Sequence, residues 1–270
     1  MALIQVNYLS KNLMRTVPVN VILPADKLDY SSFDYAMPKG GKFKTLYLLH
    51  GVFGNYTDWV SGTRIQRWAE EKNLAVVMPS GDNSFYLNSP VTKVNYADFI
   101  GKELVDITRR MFPLSDKRED TYIAGLSMGG YGAIVNGLNN PDTFGAIAGL
   151  SSAVHLFDKN IGHLGLEYAV MGDVDEAAGT NMNPVVAFNE LVRNGKPLPK
   201  LYMSCGTEDD LYPANIELRD FFVKNGADLT WDEEKGGHDW DFWDQQIKKV
   251  IDWLPLEESS QGMNSGNVQK

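Results

Sequence analysis

The sequence predicts an α/β protein: a mainly parallel central sheet flanked by helices. Three observations carry this. Short continuous apolar runs recur at residues 45–49, 75–78, 122–124, 146–150, 201–204 and 229–231, the pattern of strands covered on both faces. Helical patterns fall between them, and strand–helix alternation at this spacing means βαβ units. The chain has 270 residues, 43% of them hydrophobic, enough for one large domain or two small ones with a substantial core.

Near the start of the chain, residues 5–10 and 15–23 alternate apolar and polar before Pro24, which suits two antiparallel strands at a sheet edge. Residues 26–42 read as a polar loop. After the run at 45–49, Ile65 and Trp68 mark a short helix. Ile100, Leu104, Ile107 and Met111 stand at i, i+4, i+7 and i+11, one face of a longer helix, and Pro113 stops it. The run at 122–124 leads into a helical stretch at 130–135. Residues 152–199 break the rhythm: no clear strand, with glycines and scattered apolar side chains. This stretch comes after a strand, so it emerges at the carboxyl edge of the sheet, where α/β sites lie, and is expected to be a cap or lid insertion. Its Leu156, Phe157, Leu164 and Leu166 either line a pocket or bury against the sheet. Ile216, Phe221 and Phe222 mark one further helix, and Phe242, Ile247, Val250 and Ile251 the last. The expected organisation is a single domain over residues 1–256 and a polar tail, 257–270, expected to be disordered.

Composition excludes several function classes. The formal net charge is −10, spread along the chain, so a phosphate-backbone partner is not expected. The single cysteine, Cys205, rules out an intrachain disulfide framework and fits a reducing compartment; it reads as a small buried residue. The first residues lack a basic start followed by an apolar run, and no stretch approaches the roughly 18 apolar residues of a membrane helix. A cytoplasmic protein without a membrane partner is the expectation. The four histidines show no metal-ligand spacing and no phosphate loop occurs, so neither metal nor other cofactor is expected.

The most informative stretch is Gly125-Leu126-Ser127-Met128-Gly129. It reads as G-x-S-x-G, the nucleophile elbow of serine hydrolases, with the strand before and helix after that the elbow requires. A side chain at Gly125 or Gly129 would crowd the strained turn, and Ser127 would stand at a helix N-terminus, where developing negative charge is favoured.

A serine hydroxyl needs a base, and the base an orienting carboxylate. After this elbow the chain order is Ser, acid, His. His155 and His163 fall in the insertion, too early to come after an acid on a later strand. His238, in Gly236-Gly237-His238-Asp239-Trp240, lies between the run at 229–231 and the last helix, where the base belongs. The acid should lie in the turn Cys205-Gly206-Thr207-Glu208-Asp209-Asp210; Asp209 is favoured, Asp210 comes second, and Glu208 reads as solvated. An oxyanion hole needs backbone donors: the N–H of Met128, after the nucleophile, and the N–H of Val52, in the loop His50-Gly51-Val52-Phe53-Gly54-Asn55. His50 is expected to fix that loop by hydrogen bonding. Tyr86 and Trp240 are weaker candidates for substrate contact.

Residues Leu48-Leu49-His50-Gly51, Ala124 through Ala133, Cys205-Gly206-Thr207-Glu208-Asp209 and Gly237-His238-Asp239-Trp240 together resemble the esterase D / tributyrin esterase family. The likeness runs from Val6 to about Leu254 and includes the opening residues 15–21. It implies an α/β-hydrolase fold, a Ser–Asp–His triad of Ser127, Asp209 and His238, and hydrolysis of short-acyl carboxylic esters. Members include S-formylglutathione hydrolases, feruloyl esterases, acetyl esterases and mycolyltransferases, some of them dimers or tetramers. The expected activity is a serine carboxylesterase on short-acyl or hydroxycinnamoyl esters, the alternatives being an acyltransferase or an S-formylglutathione-type thioesterase. Members often carry an aromatic residue after the acid, where this chain has Asp210.

Overall fold

Alternation along each strand decides which of two cores a residue serves. In the computed structural model, residues 2–29, 32–38, 40–157 and 165–256 are described. The chain runs β1 (Ala2–Ser10), β2 (Arg15–Leu23), β3 (Lys44–Leu49), α1 (Asp58–Gly62), α2 (Ile65–Glu71), β4 (Leu74–Pro79), α3 (Tyr96–Asp98) and α4 (Leu104–Met111). It continues through β5 (Thr121–Leu126), α5 (Met128–Asn139), β6 (Ala146–Leu150), α6 (Leu166–Met171), α7 (Val174–Ala178), α8 (Pro184–Arg193), β7 (Lys200–Gly206), α9 (Tyr212–Lys224), β8 (Leu229–Glu234) and α10 (Trp240–Trp253).

Eight strands form one sheet in the order β1-β2-β4-β3-β5-β6-β7-β8. β1, β2 and β4 pair antiparallel at one edge, as the early alternating segments predict, and β4-β3-β5-β6-β7-β8 run parallel. Leu46 and Leu48 of β3 enter the core shared with Trp68 of α2 and Ile247 and Val250 of α10. Tyr47 and Leu49 point the other way, to Leu104, Ile134 and Phe222 of α4, α5 and α9. The middle strands are buried on both faces, which is why they read as unbroken apolar runs.

The predicted long helix is present with a different inward face. Between α3 and α4 the backbone is π-helical over Phe99–Glu103, and the wider turn shifts the phase of α4. Ile100 and Leu104 are buried, but α4 then turns Val105 and Thr108 inward, Ile107 is half-buried and Met111 is 44% exposed. The Thr108 hydroxyl lies 2.9 Å from the Tyr47 hydroxyl, a polar contact that apolar periodicity does not register.

Among its described residues the segment 152–199 holds no strand, only α6, α7 and α8. Asn183 caps α8 through its side chain and Pro184 sits in the first turn, a standard start. Phe188 on α8 packs against Phe222 and Phe221, ring centroids 5.2 and 5.9 Å apart. Leu156 is buried, and Phe157 and Leu166 pack half-buried on the same core. His163, Leu164 and the tail 257–270 lie outside the described residues. No described helix is long and apolar enough to cross a membrane.

Candidate active site

The parallel strands end together, and their loops meet above the sheet. β5 delivers Ser127, whose backbone is left-handed at φ +52° and ψ −119°. Only a tight backbone approach allows this turn. A Cβ on Gly125 would lie 2.3 Å from the Gly129 carbonyl oxygen, and one on Gly129 2.4 Å from that of Leu49. The elbow therefore packs against the end of β3, and the Ser127 N–H donates to the Leu150 carbonyl at 2.9 Å.

The loops after β7 and β8 are joined by their backbones. Thr207 N–H donates to Glu234 O at 2.9 Å and Glu208 N–H to Gly236 O at 3.0 Å. A Cβ on Gly206 would lie 2.2 Å from Gly236 O, so this approach too requires a glycine. It brings Asp209, 4% exposed, to the imidazole of His238. Asp209 Oδ2 lies 2.8 Å from His238 Nδ1, and Oδ1 accepts the Leu211 N–H at 2.9 Å. With the Nδ1 proton directed at the carboxylate, Nε2 is the acceptor for Ser127 Oγ at 3.0 Å. Burial raises the Asp209 pKa, but the hydrogen bonds from His238 and the Leu211 N–H outweigh it and hold the carboxyl below its usual range. Asp210 is exposed; of the two aspartates left open by the sequence, Asp209 meets the histidine. Trp243 of α10 stands perpendicular to His238, ring centroids 4.8 Å apart.

The loop after β3 forms the opposite wall. His50 is 1% exposed. Its Nε2 accepts the Gly81 N–H at 2.8 Å, so Nδ1 carries the proton and donates it to Gly51 O at 2.7 Å. Burial lowers the His50 pKa, which favours this neutral tautomer. Phe53, at φ +64°, donates its N–H to Asn83 Oδ1 at 2.8 Å. So held, the loop passes Ser127 closely: a Cβ on Gly51 would lie 3.5 Å from Ser127 Cβ. Val52 is half-buried beside it, and Met128 opens α5, where helical N–H groups have no partner within the helix.

Ser127, His238, Asp209 and Val52 share one cavity of about 550 Å³ with Trp240. Tyr86 does not line it. Its side chain is fully buried and its hydroxyl donates to His50 O at 3.0 Å, so it braces the β3 loop from behind. Its neighbour Phe85 lines the cavity instead. Both have positive φ, a local twist that exchanges the two rings and leaves no sequence signal. Sequence reasoning also missed Asp58, Phe53 and Trp243 in the lining. Trp243, three residues after Trp240, was detectable as the next aromatic on the same helical face. Cys205 is buried; burial and the nearby Asp209 carboxylate push its thiol up to about 12, so it is no nucleophile at neutral pH.

A mainly parallel eight-stranded sheet with a serine at the β5 elbow defines an enzyme of the α/β-hydrolase fold. The chain belongs to the esterase family described as "Putative esterase", whose model matches residues 10–254, and it is a carboxylic ester hydrolase. It is 39% identical over 263 residues to an acetyl esterase of Caldicellulosiruptor saccharolyticus, covering 94% of this chain and 98% of that one. Among solved structures it is similar to FphF, a fluorophosphonate-binding serine hydrolase of Staphylococcus aureus, at a TM-score of 0.82 and 36% identity, with 94% and 98% of the two chains covered. An S-formylglutathione hydrolase (FrmB) of the same organism aligns at a TM-score of 0.80, with the same identity and coverage.

Proposed function

We propose that this protein is a serine carboxylesterase that hydrolyses short-acyl esters, hydroxycinnamoyl esters among them, through an acyl-enzyme on Ser127. One observation carries the reading: the continuous hydrogen-bond chain Ser127 Oγ–His238 Nε2–Nδ1–Asp209 Oδ2 at the wall of a cavity large enough for a small ester. His238 Nε2 takes the hydroxyl proton as Oγ bonds to the ester carbonyl carbon. The tetrahedral oxyanion faces the N–H groups of Val52 and Met128. Imidazolium, stabilised by ionised Asp209, then passes its proton to the alcohol oxygen as the C–O bond breaks. Water repeats the cycle: it loses a proton to Nε2, attacks the acyl carbon, and the acid leaves as Ser127 regains its proton. Residues 152–199, which contribute Ala153, Leu156 and Glu167 to the cavity lining, act as a cap that shapes it. The single, buried cysteine fits a cytoplasmic enzyme.

The likeness to an S-formylglutathione hydrolase supports a second reading, thioester hydrolysis with the same triad. The test is a series of aryl acetate, butyrate, octanoate and ferulate esters beside S-formylglutathione. Turnover of the short esters is expected, with a loss of at least about 10⁴-fold in kcat for Ser127→Ala. No turnover of any ester, or full activity in that variant, would overturn the proposal. Dominance of transesters over free acid when an alcohol or sugar acceptor is added would make the enzyme an acyltransferase instead.

A further inference from the structure

The cavity wall is acidic and aromatic. Asp58, at the start of α1, and Asp210, beside the triad, both line it, and none of its described lining residues is a lysine or arginine. Among the described residues, neither Asp58 nor Asp210 forms an ion pair. Lys235, on the neighbouring loop after β8, is 83% exposed and pairs with Glu208 at 3.6 Å. Phe53, 77% exposed and at φ +64°, lines the cavity, as does Trp240. Trp243, 6% exposed, lines the same cavity, and its indole Nε1–H has no acceptor among the described residues. A buried donor of this kind awaits an acceptor.

Resting on the esterase function proposed above, we infer that this site selects esters by charge: Asp58 and Asp210 exclude esters that carry a carboxylate, and the site takes uncharged or cationic alcohol halves. A substrate carboxylate held about 6 Å from one of these groups, at an effective dielectric constant of about 40, binds about ten-fold more weakly. The carboxylate product forms beside like charge, which speeds its departure. Glutathione thioesters, with two carboxylates and one ammonium, are disfavoured relative to neutral short-acyl esters.

The experiment compares three aryl acetates that differ only at the para position: 4-acetoxybenzoate, 4-acetoxybenzamide and 4-acetoxy-N,N,N-trimethylanilinium. Each kcat/KM is divided by the rate of the same ester with imidazole, which removes differences in leaving-group reactivity. The carboxylate ester is expected at least about ten-fold below the carboxamide, and the cation equal to or above it. Asp58→Asn and Asp210→Asn should each narrow that ratio several-fold, and 1 M NaCl should narrow it in the wild type. The ratio is the readout, so a general loss of activity in a variant does not mimic the effect. A carboxylate ester as fast as the carboxamide, or a gap that neither variant nor salt alters, overturns charge selection while leaving the esterase intact. No turnover of the carboxamide ester overturns the esterase function, and charge selection with it.

Discussion

Asp209 and His50 show what burial does to a titrating side chain when its partners differ. Asp209 remains ionised because hydrogen bonds offset its desolvation. Its folded pKa lies below the unfolded value of about 3.9, so its stabilising contribution is complete above that value and is lost as pH falls through the lower folded one. Asp209→Asn is expected to flatten this acid limb in a plot of Tm against pH. It should also cost about 10⁴-fold in kcat, because the amide no longer holds the imidazole in the right tautomer. A retained acid limb, or a loss below about ten-fold, would count against Asp209. His50 works with the opposite charge state, as a neutral ring bridging Gly81 and Gly51. Its folded pKa is also depressed, so its contribution is present above about 6.5 and is lost as pH falls below that. His50→Ala leaves the Gly81 N–H unpaired. We expect it to cost about 1–3 kcal/mol in denaturant unfolding and to lower kcat more than it raises KM, because the displaced loop carries Val52.

At the scale of elements, the parallel strands, helices and glycine turns divide the work. β3, β5, β7 and β8 end at one edge and deliver the loop of Val52, then Ser127, Asp209 and His238. Glycine at 129 and 206 lets those loops approach to backbone contact. Of the helices in 152–199, α6 supplies Glu167 to the cavity lining, and α8 has a structural share. α8 is anchored by Phe188, 1% exposed, against α9. Phe188→Ala should destabilise the protein by about 3–5 kcal/mol, read as a lowered denaturation midpoint. A change below about 1 kcal/mol would mean that α8 is dispensable to the core. The phase of α4 shows where periodicity fails: one π-helical turn and one buried threonine redirect its face.

For the whole molecule, the charge of −10 and a sequence pI of about 4.9 predict colloidal behaviour that no single residue controls. As pH falls toward 4.9 mutual repulsion vanishes, and light scattering should show a maximum of self-association there, reversed on returning to pH 7. A solubility minimum well above that pH would show that surface patches, not net charge, govern association. The same charge has a local expression at the cavity, where Asp58 and Asp210 stand without a counter-cation among the described residues.

The chain by itself determined the sheet, the elbow serine and the terminal histidine. Buried strands, a glycine-flanked serine and a glycine-rich turn before a helix are local patterns that local physics imposes. Tertiary structure decided the rest: Asp209 over its neighbour Asp210 at the His238 ring, Phe85 over Tyr86 in the cavity wall, and Asp58 and Trp243 in the lining shared with Ser127 and His238. These depend on where loops from strands far apart in sequence come to rest. Adjacent residues of similar type differ little along the chain, and a positive φ or a backbone contact across the sheet turns one of them inward.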